Sequence, residues 1–131
     1  MNQSNSTPQG VGVDIISKTR IKDFMNRHRS RLTKILTEKE EHEMNASSDP
    51  VRFLAYLFSA KESVFKSLNL AWFGIDGFRL IEVDMVDIEA QQATASLSGV
   101  IQEQVQDRIS ASKVLFSEKD DFVIARAASY K

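Results

Sequence analysis

The sequence predicts an α+β domain in which a mostly antiparallel sheet packs against one long central helix. Three observations carry this. Residues 10–16 (Gly-Val-Gly-Val-Asp-Ile-Ile) form an opening apolar strand. Residues 51–69 form the longest helical period, with Leu54, Leu57, Phe58, Val64, Phe65 and Leu68 at three- and four-residue spacing. The second half is mainly short alternating segments. Strand, then helices, then strands is the order of an α+β fold rather than of repeated βαβ units. At 131 residues the chain makes a single domain.

Each element has local reasons. Residues 1–9 are polar, with Asn, Ser, Thr and Pro, and read as a flexible leader to a domain spanning 10–131. In the first strand, predicted to be buried, Val11, Val13 and Ile15 share one face, and Gly12, Asp14 and Ile16 the other. Residues 18–28 place Ile21, Phe24 and Met25 at helical spacing. Leu32, Ile35 and Leu36 form an apolar patch. Thr37, with Glu40 three residues on, reads as a capping box for a short acidic helix. Residues 45–50 (Asn-Ala-Ser-Ser-Asp-Pro) are a turn cluster, and Asp49 before Pro50 suits the start of the long helix. Gly74 and Gly77 break the chain. Residues 78–88 read as a strand, 93–97 as its hairpin partner, and 98–107 as a short helix capped by Ser98 or Gly99. Residues 109–116 and 122–128 read as two further strands.

Composition excludes several functions. No apolar run approaches the ~20 residues that span a bilayer, so a membrane protein is not expected. No basic segment precedes an apolar one at the start, so a secretory signal is not expected and a cytoplasmic location is. Zero cysteines exclude a thiolate zinc site and a cysteine nucleophile. Two histidines leave a hard cation with oxygen ligands as the expected metal, if any. The net charge of −1 argues against nucleic acid as a partner. Yet residues 18–34 carry seven basic residues against Asp23 alone, a local +6 on a body of −7. Such a stretch suits docking onto an anionic partner, or a solvated helix face.

Two positions break the apolar pattern. Asp14 lies inside the opening strand, where a lone carboxylate costs several kcal/mol unless paired or ligating. Lys61 falls on the apolar stripe of the long helix and requires a partner or a ligand. Glu62 lies at the edge of that stripe, and Lys66 one turn on. Alone, these two read as an exposed pair worth ~0.3–0.5 kcal/mol. Together, Asp14 and Glu62 with Lys61 and Lys66 suit a pyrophosphate held through Mg²⁺: carboxylates ligate the ion, and lysines neutralise the remaining charge. No Gly-x-x-x-x-Gly-Lys loop is present, and Gly10-x-Gly12 lacks the third glycine of a dinucleotide fingerprint.

At these residues the sequence resembles the 4′-phosphopantetheinyl transferase superfamily, in its short holo-acyl-carrier-protein synthase type. Gly-Val-Gly-Val-Asp-Ile-Ile with Arg20-Ile21 resembles the family's opening pattern. Ile35-Leu36-Thr37-x-x-Glu40 resembles its Leu-Thr-x-x-Glu block. Residues 58–68 (Phe-Ser-Ala-Lys-Glu-Ser-Val-Phe-Lys-Ser-Leu) resemble its Lys-Glu block. The three blocks cover about the first seventy residues.

The resemblance implies transfer of the phosphopantetheine arm of coenzyme A, the co-substrate, to a serine of an acidic acyl carrier protein, releasing 3′,5′-ADP. It implies Asp14 and Glu62 as Mg²⁺ ligands and Lys61 and Lys66 as contacts to the coenzyme A phosphates. Arg20 matches the carrier-docking helix, and Phe24, Arg27 and Arg31 on the same basic stretch join it. A homotrimer with sites between subunits and a place in cytoplasmic fatty acid biosynthesis are further implications. Glu62, preferably through an intervening water, is the candidate general base, and Lys66 the second catalytic candidate.

Two departures stand out. Lys113 occupies the position where the family's Ser-x-Ser-His segment has its histidine, and is assigned here to coenzyme A. The Gly-Lys-Pro hairpin is missing, since residues 87–94 hold neither glycine nor proline. Both motivate a second reading, a non-catalytic or weakened carrier-binding homologue.

Overall fold

The computed structural model describes residues 7–71 and 75–131. Strand β1 (Gly10–Ser17) leads into helices α1 (Lys18–Arg27), α2 (Leu32–Ile35), α3 (Glu38–Ala46) and α4 (Pro50–Ser67). Then come β2 (Ile81–Asp87), β3 (Gln92–Leu97), α5 (Gly99–Val105), β4 (Ala111–Lys119) and β5 (Phe122–Tyr130). The five strands form one antiparallel sheet in the order β1-β5-β4-β3-β2. The α+β class and the central helix are as the sequence predicts. Residues 1–6, Trp72, Phe73 and Gly74 lie outside the described residues, while the Gln9 amide already donates to Ser129 O at 2.7 Å.

Helix α4 is the core. Asp49 caps it, accepting from Arg52 N at 3.1 Å, and Pro50 fills its first turn. Leu54, Leu57, Val64 and Leu68 are buried, and Ala55, Ser59, Ala60 and Ser63 bury the adjoining faces. These small residues let the helix lie close on the sheet. Ser67 Oγ meets Ser129 Oγ, which meets Ser112 Oγ, each at 2.7 Å, so the polar groups of that contact satisfy one another. The capping box of α3 forms in both directions, Glu40 N to Thr37 Oγ1 at 3.2 Å and Thr37 N to Glu40 Oε1 at 2.9 Å.

Strand β1 corrects the sequence reading. It is an edge strand, buried on one face only. The Gly12, Asp14 and Ile16 face meets α4, while Val11, Val13 and Ile15 point away from it and are 68%, 52% and 61% exposed. Strand β2 begins three residues later than expected, because residues 75–80 wind into a 3₁₀ turn whose Phe78 carbonyl faces inward. The β2–β3 hairpin closes without glycine, because Gln91 itself takes the left-handed conformation at φ 54°.

Candidate active site

Asp14 reaches the site because β1 runs against α4. Ser17 ends that strand and caps α1, its Oγ accepting from Arg20 N at 3.2 Å. Lys66 Nζ, from α4, donates to Asp14 Oδ1 at 3.3 Å and to Val13 O at 3.0 Å. Lys66 thus turns to the strand, where the sequence suggested an i,i+4 partner in Glu62.

Asp14 and Glu62 open onto one groove of about 760 Å³ between β1, α1 and α4. Arg20, Phe24, His28 and Phe58 line it too. Burial raises the Asp14 carboxyl above its ordinary value, and Lys66 opposes this. Burial, followed by the Asp14 charge, raises Glu62, again against Lys66. Two partly buried carboxylates on one groove, each raised by burial and Glu62 also by the Asp14 charge, are suited to a shared cation.

Other predicted residues lie elsewhere. Lys61 is corrected: it is 1% exposed, and its ammonium is held by Glu40 Oε1 at 2.7 Å, Phe78 O at 2.8 Å and Ile81 O. Burial pushes that ammonium below its ordinary value, against the pull of Glu40. All three of its hydrogens are used inside the core, so Lys61 does not contact phosphate. Arg27 is exposed at the end of α1 and pairs with Asp23 at 2.9 Å; Arg31 is exposed in the turn after α1. Neither lines the groove. Lys113 lies outside this groove. It pairs in register with Ala128 and Thr94 on the sheet face turned away from α4, with Nζ 5.8 Å from the Tyr130 ring centroid.

Sequence reasoning missed His28, whose ring lies 5.6 Å from that of Phe24 at the groove wall. It also missed the partner of Lys61. Glu40 was assigned to its cap alone, although a buried lysine and a glutamate in neighbouring motif blocks were a usable signal. A second missed cluster is Glu118, which accepts from Lys18 Nζ at 2.6 Å, Tyr56 Oη at 2.7 Å and Arg52 Nε at 3.0 Å. It ties the β4–β5 hairpin to α1 and α4.

A single edge-stranded antiparallel sheet around one buried helix, with an acidic groove beside a basic helix, defines a class that sequence comparison identifies. A family profile for the 4′-phosphopantetheinyl transferase superfamily matches residues 10–127, and the chain belongs to that superfamily. Within it, the chain is similar to the holo-(acyl-carrier-protein) synthase of Azoarcus sp. (strain BH72), 32% identical over 120 residues, covering 90% of this chain and 94% of that one. The crystal structure of the Neisseria meningitidis holo-(acyl-carrier-protein) synthase superposes with a TM-score of 0.79 at 26% identity, covering 95% of this chain and all of that one. The Helicobacter pylori synthase, solved in complex with coenzyme A, shares the fold at a TM-score of 0.71 and 20% identity, covering 91% and 98% of the two chains.

Proposed function

We propose that this protein transfers the 4′-phosphopantetheine group of coenzyme A to a serine hydroxyl of an acyl carrier protein, releasing 3′,5′-ADP. The observation that carries this reading is the convergence of Asp14 and Glu62, from a strand and a helix far apart in sequence, on one groove beside the basic helix α1. Superfamily membership and the names of the similar synthases support it.

The donor set fits Mg²⁺. That ion takes one or two protein carboxylates and completes its shell with substrate phosphates and water, and the groove offers two carboxylates of hard oxygen. Among the described residues no group of three or more acidic, histidine or cysteine side chains is placed to hold a metal ion, so substrate and water would complete the shell. Asp14 and Glu62 would hold the ion, which when bound screens the pyrophosphate charge.

The chain's own residues do the rest. The serine oxygen forms a bond to the β-phosphorus of coenzyme A as the bond from that phosphorus to the bridging oxygen breaks, and 3′,5′-ADP carries away the electron pair. Glu62, through an intervening water, accepts the serine proton. Lys66, half-exposed at the rim, neutralises phosphate charge. Arg20 and Phe24 in the groove, with Arg27 and Arg31 beyond it, dock the acidic carrier, whose seating excludes competing water.

A homotrimer accompanies this reading. The sheet face carrying Val11, Val13, Ile15, Leu115 and Phe122 is an exposed apolar surface suited to a second copy. Lys113 stands on the same face, so a neighbouring copy is what could carry it to another protomer's phosphates. No helix among the described residues is long and apolar enough to cross a membrane. A cytoplasmic location is part of the proposal.

The test is an intact mass spectrum of apo carrier protein before and after incubation with this protein, coenzyme A and MgCl₂. The carrier is expected to gain one phosphopantetheine. No gain across several apo carriers would overturn the reading in favour of a non-catalytic homologue.

A further inference from the structure

Glu40 and Lys61 are the two fully buried charged side chains among the described residues, at 0% and 1% exposure, and the transfer chemistry above uses neither. Their contacts join four parts of the chain. Glu40 Oε1 receives Lys61 Nζ at 2.7 Å and Thr37 N at 2.9 Å, while Oε2 receives Val83 N at 2.7 Å. Lys61 adds the carbonyls of Phe78 and Ile81. One ion pair therefore fastens the first turn of α3, the middle of α4, the 3₁₀ turn before β2 and β2 itself.

We infer that the Glu40–Lys61 pair is a positioning element for the groove. Successive helix residues are separated by ~100° of rotation. Anchoring Lys61 into the core fixes the rotation of α4 about its axis, and with it the direction of the next residue, Glu62. A second route runs through Phe78, whose carbonyl Lys61 holds. Its ring packs 6.0 Å from Phe58, which lines the groove, and 5.9 Å from Phe65. The pair acts on Glu62 and Phe58 without touching substrate. The inference rests on Glu62 being a ligand of the divalent ion, and Mg²⁺ tolerates little displacement of its ligands. Carrier docking sits on α1 and does not depend on the pair.

The experiment compares the full-length wild type with Lys61→Met, the double variant Glu40→Gln/Lys61→Met, Glu40→Asp and Glu62→Ala. It measures thermal midpoint, Mn²⁺ binding by electron paramagnetic resonance, and kcat and KM for transfer. Lys61→Met leaves an unpaired buried carboxylate and is expected to melt early; the double variant removes that charge and is expected to regain most of the loss. In the double variant the Mn²⁺ dissociation constant is nevertheless expected to rise about 5-fold or more and kcat to fall about 10-fold, with carrier KM within about 2-fold. A folded double variant with wild-type Mn²⁺ affinity and kcat would reduce the pair to structural support and overturn the inference. Glu40→Asp keeps the charge and shortens its reach, so unchanged Mn²⁺ binding there overturns it as well, should the double variant not fold. If the wild type neither binds Mn²⁺ nor transfers, the underlying metal reading fails and the inference falls with it. If the wild type binds and transfers while Glu62→Ala binds no Mn²⁺, any failure belongs to the pair alone.

Discussion

Gly12 of β1 lies directly on the backbone of Ser63 in α4. A β-carbon on Gly12 would stand 2.1 Å from the Ser63 carbonyl oxygen and 2.8 Å from Lys66 Cβ. Gly10 meets Ser67 O in the same way, at 1.9 Å. The Gly-x-Gly that opens the domain is thus a device for bringing a strand onto a helix, and it sets Asp14, two residues on, beside Lys66 and in the groove with Glu62.

Gly12→Ala is expected to separate β1 from α4, because both contacts lie at or next to backbone that cannot swing aside. A loss of about 2 kcal/mol or more in urea unfolding is expected, together with weaker Mn²⁺ binding. Wild-type stability in that variant would show that the strand can lift without consequence.

Asp14→Ala and Glu62→Ala are each expected to lower Mg²⁺-dependent transfer about 100-fold or more, with an unchanged circular dichroism spectrum. Both carboxyls sit above their ordinary values because burial opposes their charge, so neither replacement is expected to lower the thermal midpoint. Transfer persisting in both variants would remove the metal site from this groove.

Reversing Arg20 and Arg27 to glutamate is expected to raise KM for the carrier protein about 10-fold at low salt, an effect that shrinks as salt is added. Coenzyme A binding, followed by calorimetry, is expected to stay the same. A matching loss in coenzyme A affinity would place the basic face in the wrong role.

Glu118 makes stability pH-dependent. Burial alone would raise its carboxyl, but the hydrogen bonds from Arg52, Lys18 and Tyr56 outweigh that and hold it at about 2, against an ordinary 4.5. A carboxyl depressed in the folded state takes up protons on unfolding. Its contribution is therefore full above pH 4.5 and is lost as pH falls toward 2. Partial exposure of Lys18 and Arg52 screens the cluster, so about 2 kcal/mol is expected rather than the full shift. Glu118→Gln is expected to lower neutral-pH stability by about that amount and to flatten the acid limb of the urea midpoint. An unchanged limb would locate acid sensitivity elsewhere.

If each site joins Asp14 of one copy to Lys113 of another, inactive Asp14→Ala and impaired Lys113→Ala proteins are expected to regain activity when unfolded together and refolded as a mixture. Val13→Asp, on the open sheet face, is expected to reduce the mass seen by light scattering. Mixed refolding that gives only the average of the two separate activities would place Lys113 outside the site.

The sequence was most legible where one local rule sufficed. Thr37 with Glu40, and Asp49 with Pro50, fixed two helix starts through hydrogen bonds that span three residues. Asp14 and Glu62 were legible as charges in apolar company. Legibility ended where partners are distant in the chain. Lys61 met the rule that a buried ammonium has a partner, but Glu40 and two carbonyls of the 78–81 segment filled that role, and no spacing rule names them. Val11, Val13 and Ile15 looked like core because hydrophobicity alone does not say whether one face of a strand is packed or both. Lys113 was legible only through its position in a motif; which sheet face it takes depends on strand register, and that face is the one turned away from α4.

The carboxylate of Glu40 serves the start of α3 and the interior simultaneously. A helix terminus ordinarily frays on its own, exchanging its amide hydrogens through brief local openings. Here, loosening the first turn of α3 would also release the Val83 amide and strip Lys61 of its counter-charge. Deuterium uptake at the Glu40 and Glu41 amides, which Thr37 accepts, is therefore expected to follow the slow rhythm of whole-molecule opening, making an outer turn as protected as the centre.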